Sequence, residues 1–83
     1  MLIFPTLHLG GTHAAILVLQ YRNAIETLRD AIEALTKAEP NARDYIQTEQ
    51  YWAAQHQHRT RIEKVQAVLG DIEALQQHCV DHG

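Results

Sequence analysis

Residues Ala14 to Ala38 read AAILVLQYRNAIETLRDAIEALTKA, with neither Gly nor Pro. Apolar side chains recur along this stretch at steps of three and four: Ala14, Val18, Tyr21, Ile25, Leu28, Ile32 and Leu35. That spacing matches the helical period and predicts one long amphipathic helix over about 13–38. Written as a heptad, Val18, Ile25 and Ile32 occupy a, and Tyr21, Leu28 and Leu35 occupy d. The flanking g positions are Leu17, Ala24, Ala31 and Ala38, mostly small, so the apolar stripe is wider on that side than a single seam needs. On the polar face Glu33 precedes Lys37 by four residues and Glu26 is within helical reach of Arg29, as expected of a solvated surface.

Upstream of this helix, Gly10-Gly11 breaks the chain and Thr12 offers a hydroxyl at the natural N-cap, although Ala15 leaves the capping box without its reciprocal carboxylate or amide. Residues 1–11 predict a short extended arm. Its alternation Thr6-Leu7-His8-Leu9 would put Leu7 and Leu9 on one face, packed across the helices or against the same segment of a partner. Downstream, Pro40 disfavours helical geometry at Glu39, and the turn-forming run Pro40-Asn41-Ala42-Arg43-Asp44 predicts a loop over about 39–47.

A second helix is predicted over about 48–79, with Thr48 as N-cap and Glu49 in the first turn. Its apolar positions are Tyr51, Trp52, Ile62, Val65, Val68, Leu69, Ile72 and Leu75, interrupted by a polar interval from Gln55 to Arg61. Gly70 lies inside it at a cost of about 1 kcal/mol relative to Ala, and marks an expected bend or close backbone contact. Helices of roughly 39 and 46 Å suit an antiparallel hairpin. The fold class is therefore all-α: a two-helix hairpin with an N-terminal arm. Both stripes exceed one seam and small chains seldom bury enough alone, so a homodimer forming a four-helix bundle is expected.

Composition bounds the function. The 83 residues are 46% hydrophobic but only 6% aromatic, too apolar for a wholly disordered chain and too poor in Gly and Pro for a collagen-like one. A net charge of -3 argues against a bulk field for polyanions. The lone Cys79 cannot form an intrachain disulfide or a multi-cysteine zinc cage, which points to a reducing, cytoplasmic setting. No Lys or Arg precedes Arg22, so no signal peptide is expected, and the longest apolar run, Ala14 to Leu19, is far short of a membrane span.

Six histidines invite a catalytic or metal reading. His78 and His82 share a helical face and could chelate zinc, nickel or copper, but they sit at the C-terminus beside Cys79, whose phase turns it toward Val65, Val68, Ile72 and Leu75. His56 and His58 diverge on a helix, and His8 and His13 belong to the arm and the first turn. No HExxH spacing, no phosphate-cradling loop and no Ser occur anywhere in the chain. Neither an enzyme nor a cofactor-dependent protein is expected, no metal ligand is assigned, and a metal-binding module using His78 and His82 stands as a third alternative. Arg59, Arg61 and Lys64 are the best basic patch, interrupted by Glu63, and give the alternative of a nucleic-acid-associated accessory protein. Arg43, Tyr45, Tyr51 and Trp52 combine aromatics with arginine, the composition of a protein-binding hot spot, and are the candidate partner-binding residues. The same aromatics could instead close the bundle end.

Leu7-His8-Leu9-Gly10-Gly11-Thr12, Tyr21 and Pro40-Asn41-Ala42-Arg43-Asp44-Tyr45-Ile46 together resemble a group of small uncharacterised helical proteins of bacterial and phage type. That group has an LHLNGTS-like start and a PNGRDYY-like loop. Here Gly10 stands for Asn, His13 for Ser, Ala42 for Gly and Ile46 for Tyr. The resemblance implies a bacterial or mobile-element origin and carries no activity to any residue. The expected function is a non-enzymatic interaction or structural module, self-associating through its apolar helix faces, with an unidentified protein partner and no membrane contact.

Overall fold

A computed structural model describes residues 1–8 and 11–83, and the helical period becomes two helices, α1 over Ala14–Lys37 and α2 over Thr48–His82. A 3-10 turn, Ala42–Asp44, interrupts the connection. The helices pack on one another, and no strand occurs among the described residues. Their course is antiparallel. Val18 meets Gln76, Arg29 meets Glu73 and Leu35 meets His58, so partners fall in number along α2 as they rise along α1.

The ends differ in detail from the sequence expectation. Thr12 is not the cap of α1: the N-cap is His13, whose side chain makes no capping bond and whose carbonyl accepts from the N–H groups of Ile16 and Leu17. Thr48 is likewise the first helical residue, with Gln47 as an uncapped N-cap. At the other end of α1 the Ala38 N–H donates to the carbonyls of both Ala34 and Leu35, and Lys37 lies in the last turn, where its charge complements the helix dipole. In the loop, the Asn41 side chain accepts from the Arg43 N–H at 3.0 Å, an Asx-type turn that shapes the 3-10 segment. The second helix continues past Cys79 to His82.

Gly70 lies inside an unbroken α2 and admits no close neighbour: a Cβ placed there meets nothing within 4 Å. The residue therefore carries only the entropic cost of glycine in a helix. Gly70→Ala should stabilise the chain by about 0.5–1 kcal/mol in urea titration, and a loss of stability would show a packing role for the glycine.

All six a and d residues of α1 turn inward, Ile25 most completely at 5% exposure. On α2 the inward positions fall at seven-residue steps, Tyr51, His58, Val65, Ile72 and Cys79, alternating with Ile62, Leu69 and Gln76. A strict heptad of this kind is the spacing of a left-handed helix pair. Trp52 and Val68, counted by pattern in the α2 stripe, are instead 61% and 49% exposed. Two helices alone bury little. Among the described residues Ile25 and Cys79 are the buried apolar ones, and Leu17, Val18, Leu28, Ile32, Val65, Leu69 and Ile72 remain half-buried.

Exposed ion pairs decorate this seam. Glu33 pairs with Lys37 at 3.3 Å as expected, whereas Glu26 turns to Arg22 at 3.4 Å and leaves Arg29 to cross to Glu73 at 3.1 Å. Their exposure limits each to about 0–1 kcal/mol. The arm docks through other residues than its alternation suggested. The Phe4 ring lies 4.8 Å from that of His78, and His78 Nε2 is 3.0 Å from the Pro5 carbonyl, which can only accept and so fixes the hydrogen on Nε2. Leu7 is half-buried, and Leu9 and Gly10 lie outside the described residues.

Candidate functional site

The loop end carries the aromatic group. Tyr45 extends from the connection and Tyr51 sits one turn into α2, their ring centroids 6.1 Å apart and tilted by 48°. Both are half-buried, and the Tyr51 hydroxyl accepts from Gln55 Nε2 at 2.7 Å. Tyr51 lies seven residues before His58, in the inward row of α2, so this pair closes the end of the seam. Trp52 and Arg43 face solvent. The four candidate partner-binding residues thus divide into two that finish the core and two that are presented outward. Ile46 joins the outward pair: it is wholly exposed, although the sequence reading gave it no role. The available signal was an isolated isoleucine within a polar connection.

The basic triad separates for a geometric reason. Residues two apart on a helix point roughly 200° apart. Arg61 and Lys64 border one shallow groove of about 250 Å³ with His56, Gln57 and Thr60, whereas Arg59 faces a different groove of about 290 Å³ beside Glu39 and Glu63. Arg59 is therefore set among carboxylates, and two of the three cations remain as a pair.

At the opposite end, His78 and His82 place their rings 4.5 Å apart, as their spacing requires. One of them is already engaged, since His78 Nε2 is held by the Pro5 carbonyl and Phe4 lies against its ring. Among the described residues, no group of three or more His, Cys, Asp or Glu side chains is placed to hold a metal ion. Cys79 is 1% exposed within the seam, out of reach of a substrate.

His58 is the residue that sequence reasoning missed. It is 8% exposed, and its Nε2 bonds the Leu35 carbonyl near the end of α1. That carbonyl accepts only, so Nε2 carries the hydrogen. The histidine thus adds a second donor to a carbonyl in the last turn of α1 that the Ala38 N–H also serves. Gln76, toward the other end of α2, donates from Nε2 to the Val18 carbonyl at 3.3 Å. These two polar side chains in an otherwise apolar row set the register of the hairpin, because sliding either helix would separate each donor from its carbonyl. The clue to both was their place in the seven-residue row series, obscured for His58 by the polar interval from Gln55 to Arg61.

The two long edges of the hairpin are chemically different. One is crossed by Arg29 and Glu73 and borders a groove of about 350 Å³ that also takes Arg22, Glu26 and Gln77. On the other, α1 presents Leu17, Ala24 and Ala31, all half-buried and none charged. No helix among the described residues is long and apolar enough to cross a membrane. Comparison with known proteins finds no matching family model, no curated relative and no solved structure that matches the chain.

Proposed function

We propose that the protein is a non-enzymatic interaction module that self-associates through its apolar helix faces, two hairpins making a four-helix bundle. One observation carries this reading: the chain exposes too much surface for its mass. Its accessible area is 6421 Å², about 1,400 Å² above the roughly 5,000 Å² of a compact 9.4 kDa monomer. The radius of gyration agrees, at 17.9 Å against about 12 Å for a compact domain of this length. Doubled over two copies, the excess is about 2,800 Å², within the range of obligate homodimer interfaces. The loop end, with Arg43, Trp52 and Ile46 outward, is the surface we assign to a second protein. The separation of Arg59 from Arg61, together with the net charge of -3, gives a nucleic-acid role no comparable support.

Light scattering coupled to size exclusion at micromolar concentration tests the reading. The expected mass is twice 9.4 kDa, with helical circular dichroism retained. A fully helical monomer would remove the self-association.

A further inference from the structure

Resting on that reading, we infer that the second copy docks on one particular face, formed by Leu17, Ala24 and Ala31 of α1 with Ala54, Val68 and Leu75 of α2. The geometry follows from the hairpin itself. In an antiparallel helix pair the e row of one helix lies beside the e row of the other, and the two g rows meet on the opposite side. With the inward rows defined above, Arg29 and Glu73 are both e residues, and their 3.1 Å ion pair identifies that edge. The g rows therefore share the other edge, where α1 places Leu17, Ala24 and Ala31 and α2 places Ala54, Val68 and Leu75, with Arg61 interrupting the row near the loop and His82 ending it.

On α1 charge is segregated accordingly. Every charged residue of α1, namely Arg22, Glu26, Arg29, Asp30, Glu33 and Lys37, lies outside the g row and outside its neighbouring row of Gln20, Thr27 and Ala34. On α2 the same edge carries Arg61, with Lys64 and Asp71 in the next row out, so the uncharged part is the α1 side, whose small side chains let another helix approach closely, as helix bundles require. The occupant we assign is a second copy, because the same edge on a second hairpin is of equal length with the same small side chains on α1, and because the total of 6421 Å² exceeds the compact value by about 1,400 Å² per chain, which doubled matches what a stable homodimer buries. Thr27 and Ala34 are exposed in the single chain, which a polar rim tolerates and which a docked copy would cover.

Substitutions on the two edges separate this assignment from the broader reading. Ala24→Glu is the direct test, and the double variant Thr27→Arg with Ala34→Arg is the second, since both residues are exposed in the hairpin and their replacement leaves its seam untouched. By sedimentation each should raise the dimer dissociation constant at least about 100-fold, the two-fold axis bringing like charges together. Arg22→Glu, on the charged edge, should stay dimeric. A wild-type chain that is monomeric overturns self-association and this assignment with it. A wild-type dimer that survives both g-side variants, or that is broken equally by Arg22→Glu, overturns the face alone.

Discussion

Ile25→Ala should remove about 3 kcal/mol, most of the stability of a hairpin this small. Ile25 is 5% exposed and central in the α1 row, so truncation loses the transfer energy of the deleted carbons and leaves a cavity that two long helices cannot easily close. Chains below about 80 residues rarely gain more than about 3–5 kcal/mol from one core, so the loss is close to the whole. Ile16→Ala, the same chemistry on the same helix at a position 49% exposed, should cost less than about 0.5 kcal/mol. Urea titrations at one fixed protein concentration make the comparison, because association contributes to apparent stability. Equal losses at the two isoleucines would show that the seam does not run through Ile25.

His58→Ala should be the second large loss, about 2 kcal/mol. Roughly half comes from the hydrogen bond to the Leu35 carbonyl and half from packed surface. His58→Leu separates the two contributions. Leucine restores the apolar contact, and the Leu35 carbonyl keeps the Ala38 N–H as a partner, so it is not left orphaned. Leucine should therefore recover at least about 1 kcal/mol of the alanine loss in thermal or urea unfolding. If leucine proved as damaging as alanine, the hydrogen bond would outweigh the packing. If alanine were harmless, His58 would not lie in the seam.

The first helix was legible because nothing in its sequence competes with its period. Val18, Ile25, Ile32, Tyr21, Leu28 and Leu35 all turn inward, and neither Gly nor Pro breaks the run. The second was legible as a helix but less so as a surface. Trp52 and Val68 satisfy its three- and four-residue steps yet stand out in solvent, while His58 and Gln76 are polar and face α1. A straight helix drifts about 20° per heptad relative to a seven-residue repeat. Over a helix of 35 residues that drift decides which of several adjacent rows meets the partner, and only the partner's path resolves it. The candidate sites were less legible still: Arg59, Arg61 and Lys64 are neighbours in sequence but face two grooves, and Tyr45 and Tyr51 are as much core as surface.

Two long helices joined at Pro40 follow from the amino-acid order unaided, because helical periodicity, proline geometry and the loop's turn chemistry are local properties that act within a few residues. The uncharged g row of α1 follows in the same way, since residue identity and helical phase suffice for it. The packed pair of helices was needed to show that His58 and Gln76 pin the register, that Phe4 and Pro5 carry the arm onto His78, and that Arg29 reaches Glu73 rather than Glu26. Each is a contact between residues far apart in the chain, whose partner depends on where the second helix runs.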